Sequence, residues 1–105
     1  MHDLILRNAF IIDGSGAPAW RGDVAVDGDR IASIGELQSH TAHRVIDLEG
    51  AALAPGFIDI HTHYDGQATW DPYLSPSSSH GVTSVVIGNC GMGFAPVKQI
   101  GRAHV

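Results

Sequence analysis

His61-Thr62-His63 is the spacing in this sequence best suited to chemistry. It closes an alternating run from Phe57 to His63 that reads as one β-strand. Phe57, Asp59, His61 and His63 share one face, and Ile58, Ile60 and Thr62 share the other. A two-residue period points both imidazoles the same way, so both can reach one cation at the ~2.0–2.1 Å of a Zn–N bond. Asp59, one step back on that face, can accept a hydrogen bond from a ligand's second ring nitrogen and fix its tautomer. Seven histidines also allow a His-x-His pair to arise by chance, so spacing alone leaves both readings open.

Cys90 is the single cysteine, which excludes an intrachain disulfide and suits a reducing, cytoplasmic setting. Its thiol reads either as a soft metal ligand or as small apolar filler. His2, His40 and His43 lie at the terminus or in a polar stretch and read as solvated surface. Trp70-Asp71-Pro72-Tyr73 follows the histidine pair, and its aromatics suit either a substrate-facing loop or ordinary packing.

The elements that must position these groups fall into two stretches. Residues 1–55 read as short strands separated by glycine turns: Leu4–Leu6, Ala9–Ile12, Val24–Val26, Ile31–Ile34, Val45–Leu48 and Ala51–Ala54. Asp27-Gly28-Asp29-Arg30 between two apolar runs predicts a hairpin. Glu36 to Arg44 is polar and reads as loop, and no part of the stretch has a helical period. The pattern changes at Pro55-Gly56. After the Phe57–His63 strand, Ser75 before Pro76 predicts an N-cap and first helical position, with Gly81 ending a short helix and His80 at its negative end. Val82 to Ile87 is β-branched and apolar, as in a parallel strand buried on both faces. The result is strand, crossover, parallel strand.

With 44% hydrophobic and 16% charged residues the composition is that of a globular chain, and no signal peptide or membrane-spanning run is legible. The net charge of −5 supplies no basic footprint for nucleic acid or an anionic membrane.

Ala54-Pro55-Gly56-Phe57-Ile58-Asp59-Ile60-His61-Thr62-His63 resembles the first-strand signature of the amidohydrolase superfamily. Ile11–Gly16 and Gly28–Gly35 are similar to that superfamily's N-terminal strands. His80-Gly81-Val82-Thr83-Ser84-Val85-Val86-Ile87-Gly88-Asn89-Cys90-Gly91, followed by Phe94-Ala95-Pro96, resembles the N-acyl-D-amino-acid deacylase (D-aminoacylase) branch. The resemblance runs from residue 3 to about residue 97, and Tyr64 departs from the acidic or small residue common at that place.

The resemblance implies a zinc centre with His61, His63 and Cys90 as ligands and Asp59 behind them. It implies an α/β fold with a small β domain: residues 1–55 as part of an N-terminal β-sandwich, and 56–99 as the first strand–helix–strand of a metal-dependent hydrolase (β/α)8 barrel. A whole barrel takes about 250 residues, so the later ligands and the general base are expected beyond the chain end. Residues 100–105 leave the family pattern and read as a non-native tail resembling translated adapter sequence. The expected activity is zinc-assisted attack of water on the linear amide of a small N-acyl amino acid. A cyclic-amide hydrolase of the hydantoinase or dihydroorotase type, and a non-enzymatic β-domain, are the alternatives. The Gly-Asn-Cys-Gly segment favours the first and the chain length favours the last.

Overall fold

The computed structural model describes residues 1–90. The chain divides into two compact units, Met1–Pro55 and Gly56–Val105.

The first unit is one sheet of five strands: β1 His2–Ile11, β2 Trp20–Asp27, β3 Arg30–Gly35, β4 Ala42–Asp47 and β5 Ala52–Leu53. Their order is β3-β2-β1-β4, with β5 on β1 beyond β4. The β1–β2 and β2–β3 pairs are antiparallel, whereas β4 and β5 run parallel to β1. β2 and β3 form the hairpin that Asp27-Gly28-Asp29-Arg30 predicts, and Gly28 takes φ +58° and donates its N–H to Asp3 at 2.7 Å.

Central β1 carries the core residues Ile5, Ala9 and Ile11, packed with Val24, Ala25 and Leu37. The two apolar runs around Arg7-Asn8 are one strand with a bulge. Leu6 faces Val24, yet Ala9 faces Gly22, so β1 spends one residue more than its partner. Asn8 absorbs it at φ +54°, a conformation asparagine tolerates better than most residues. The bulge frees the Asn8 N–H, and the Asp23 carboxylate takes it at 3.0 Å. The other Asp23 oxygen accepts from Arg7 at 3.2 Å and from the Leu37 N–H at 3.1 Å. This buried carboxylate therefore ties the bulge to the segment after β3.

That segment departs from the loop expected over Glu36–Arg44. Leu37 is buried, and Ala42–Arg44 already belong to β4. A lone leucine among polar residues gives no period, and an outer strand can carry His43 and Arg44 toward solvent. One face of the sheet holds an apolar trough of about 320 Å³ lined by Leu6, Ile11, Val24, Val26, Ile34 and Leu53, among others.

In the second unit β6 Phe57–Asp59 and β7 Val82–Val85 pair in parallel, as the crossover spacing predicts. Gly56 enters β6 so close to the Thr83 side chain that any Cβ would collide with it. Three expectations need correction. β6 stops at Asp59, short of His63, because the Asp59 carboxylate captures the His61 N–H at 3.1 Å and turns the chain. The crossover helix is a four-residue 3-10 turn, Ser77–His80, with Pro76 rather than Ser75 at its N-cap. Its residues bond locally instead of extending a helix: Ser79 Oγ and His80 Nδ1 both reach the Pro76 carbonyl, at 2.7 and 2.8 Å. Gly81 ends it at φ +87°, as expected. Finally, Val86 and Ile87 are 44% and 46% exposed rather than buried, because β7 has only β6 beside it among the described residues.

Replacing Asp23 by Ala strands the Asn8 and Leu37 N–H groups and the Arg7 guanidinium together. The expected cost is about 3 kcal/mol, read from urea unfolding. A loss below about 0.5 kcal/mol, the scale of an ordinary surface substitution, would show that the bulge is held by something else.

Candidate metal centre

The segments that follow β6 and β7 stay joined after the ladder ends. Val86 donates its N–H to the Asp59 carbonyl at 2.8 Å, and Thr62 Oγ1 donates to the Val86 carbonyl at 2.8 Å. Thr62 is buried at 6% exposure, and both flanking histidines are exposed. The alternation expected of a strand is thus kept by side-chain anchoring where the strand itself has ended. The His61 and His63 ring centroids lie 5.6 Å apart with 29° between their planes.

Cys90 arrives from the other strand. Gly88, at φ +85°, reverses the chain after Ile87, and Asn89 Nδ2 donates to the Ile60 carbonyl at a long 3.5 Å. The Cys90 thiol then stands beside the imidazoles: one ligand atom from each of His61, His63 and Cys90 lies within 4.8 Å of the other two. All three are exposed among the described residues. Asp59 sits below them, and the hydrogen bond it accepts comes from the His61 main chain, where a ring N–H was expected.

An open cavity of about 360 Å³ adjoins the imidazoles, lined by Asp59, His61, His63, Tyr64, Gln67 and Ser77, among others. Tyr64 is buried; its hydroxyl lies 2.6 Å from Ser77 Oγ and accepts the Ser77 N–H at 3.2 Å. This link between the histidine segment and the crossover has no signature in the sequence beyond an aromatic next to a histidine. Asp71 organises the loop between them. Gln67 Nε2 and the N–H groups of Tyr73 and Ser75 all donate to its carboxylate at 2.9 Å. Those donors, Gln67 first, hold the Asp71 carboxyl below its usual range. Trp70 and Tyr73 are 71% and 75% exposed, which removes packing as their explanation within the described residues. His40 and His43 lie on the surface as expected, His2 is partly buried, and His2 and His40 contact each other. Gly91, Gly93, Phe94-Ala95-Pro96 and the tail at 100–105 lie outside the described residues.

Two imidazoles and a thiol are the donor types zinc takes in proteins, and their convergence fits such a centre. Comparison with known proteins finds relatives that match over most of the chain. The chain is 48% identical over 97 residues to N-acyl-D-aspartate deacylase of Alcaligenes xylosoxydans xylosoxydans, covering 92% of this chain and 20% of that protein. A crystal structure of D-aminoacylase matches with a TM-score of 0.87 at 46% identity, covering 92% of this chain and 20% of that one. The structure of N-acyl-D-glutamate deacylase from Bordetella bronchiseptica, complexed with zinc and a phosphonate inhibitor that mimics the tetrahedral intermediate, matches with a TM-score of 0.85 at 45% identity. It covers 95% of this chain and 21% of that one. This chain thus spans about a fifth of the length of these relatives. The amidohydrolase family model matches residues 44–102, more than half the chain, and the chain belongs to that family.

Proposed function

We propose that this chain is the zinc-binding opening portion of an N-acyl-D-amino-acid deacylase, a hydrolase of linear amide bonds outside peptides. The observation that carries the reading is the meeting of His61, His63 and Cys90 from the segments that follow two parallel strands. In this reading β6 and β7 are the first two strands of a (β/α)8 barrel, where residues at strand ends build the site. The half-exposed Val86 and Ile87 and the exposed Ile58 are faces that further barrel elements would cover. The sheet of the first unit is part of a β-sandwich, and its apolar trough is the face a second sheet would meet. The protein acts in the cytoplasm on small N-acyl amino acids. No helix among the described residues is long and apolar enough to cross a membrane.

Zinc held by these residues supplies Lewis acidity toward an amide carbonyl and toward water. The chain's own groups hold and orient. His61 and His63 offer imidazole nitrogens and Cys90 its sulfur. Asp59 fixes His61 through its main chain, and Thr62 keeps both imidazoles on the open side. Cys90 is also what favours linear amides over the cyclic-amide alternative, because the Gly-Asn-Cys-Gly pattern carries the resemblance to the deacylases. Two nearby carboxylates are already engaged, Asp59 by the His61 N–H and Asp71 by three donors, so neither is assigned the role of general base.

Three outcomes follow. Cys90→Ser exchanges a soft thiolate for a neutral hydroxyl and should weaken zinc binding by more than the ~10–100-fold typical of losing a supporting partner. Competition with a chromophoric chelator measures this, and unchanged affinity would remove Cys90 from the ligand set. The 105-residue chain alone should give no turnover of N-acetyl-D-amino acids above the zinc blank. Placed instead of the matching segment of the Alcaligenes xylosoxydans xylosoxydans N-acyl-D-aspartate deacylase, residues 1–90 should support deacylation that His61→Ala abolishes. Turnover by the chain alone, or a folded, zinc-loaded chimera without activity, would contradict the reading.

A further inference from the structure

A second cluster of ligand-type side chains lies wholly within the first unit, far in sequence from His61, His63 and Cys90. His2 Nε2 and His40 Nδ1 are 2.9 Å apart. Their rings are within 4° of parallel, with centroids 5.2 Å apart. That separation is the nitrogen–nitrogen distance plus a ring radius at either end, so the rings meet edge to edge in a common plane rather than face to face. In such an arrangement the two nitrogens aim at each other and share one proton, and a cation held by both must sit off the line between them.

The other nitrogen of His2 sets its tautomer. His2 Nδ1 lies 3.1 and 3.0 Å from the two Asp27 oxygens and donates its proton there. A carboxylate behind an imidazole is the common support of a metal-binding histidine: it fixes the tautomer that leaves Nε2 with a free lone pair and raises its basicity. Asp27 is itself held by the Asp3 N–H at 3.1 Å, and the His2 hydrogen bond, its largest influence, lowers its carboxyl below the usual range. The main chain that carries the second imidazole is also held in place. The His40 carbonyl accepts from Arg7 NH2 at 3.0 Å, its N–H donates to Leu37 at 2.9 Å, and Leu37 is buried.

We infer that His2 and His40, with Asp27 behind His2, form a second binding site for a borderline divalent cation such as Zn2+, Ni2+ or Cu2+. Imidazole suits these ions. Two nitrogens on one tetrahedral ion stand roughly 3.3 Å apart, so exchanging the shared proton for a cation opens the pair by a few tenths of an ångström and turns each ring by roughly 35° until its lone pair meets the ion. His40 is exposed, which allows that movement and leaves water to complete the coordination. Bound there, the ion joins the start of β1, the end of β2 and the segment before β4.

The test removes the other centre. In the full chain carrying His61→Ala, His63→Ala and Cys90→Ser, equilibrium dialysis against Zn2+ should still show one bound ion. Adding His40→Ala should weaken that binding at least 10-fold, and Asp27→Asn by about 10–100-fold, while His43→Ala leaves it unchanged. Circular dichroism checks that each variant folds. As a second measurement, Zn2+ added to the unaltered chain should shift the ring C–H resonances of both His2 and His40. No retained ion, binding indifferent to His40→Ala, or ring resonances of His2 and His40 that stay fixed would overturn the site.

Discussion

The 2.8 Å hydrogen bond from the Thr62 hydroxyl to the Val86 carbonyl is the constraint on which the candidate metal centre depends. β6 has already ended when the chain reaches the histidines, so no ladder sets their direction. With Thr62 drawn inward and buried, His61 and His63 are left on the outer side together. The same carbonyl belongs to the residue whose N–H binds Asp59, so Val86 of the β7 extension secures both ends of the β6 extension. Cys90 follows four residues later through a left-handed glycine. The hydroxyl between the two imidazoles therefore anchors them, and a threonine can be buried there because its one polar side-chain atom has a partner.

A comparable device organises the first unit. There a β-bulge exposes a main-chain donor, and the buried Asp23 carboxylate gathers it with two others. In both units a side-chain oxygen takes over where a strand ladder is interrupted, and the interruption aims residues that a regular strand would leave elsewhere.

Much of this was legible in the sequence, for identifiable reasons. The hairpin at Asp27–Arg30 and the parallel pairing of β6 with β7 follow from turn chemistry and crossover length, which are local. The meeting of His61, His63 and Cys90 was legible as two patterns, His-x-His and Gly-Asn-Cys-Gly, whose joint meaning came from family resemblance rather than spacing. What escaped is what tertiary contact decides. The end of β6 depends on Asp59 turning back on His61, and period-two alternation says nothing of that competition. The merging of two apolar runs into β1 depends on Asn8 accepting a left-handed conformation with Asp23 as its partner. Leu37 carries no periodic signal, and the His2–His40 pair joins residues 38 positions apart.

The functional reading stands or falls on whether His61, His63 and Cys90 hold one zinc ion together. Zinc X-ray absorption on the unaltered chain loaded with one equivalent of the metal tests this most directly, because nitrogen and sulfur stand at different distances from the ion. The expected spectrum contains one sulfur at about 2.3 Å and imidazole nitrogens at about 2.0–2.1 Å. A spectrum built from nitrogen and oxygen alone, with no sulfur shell, would contradict it.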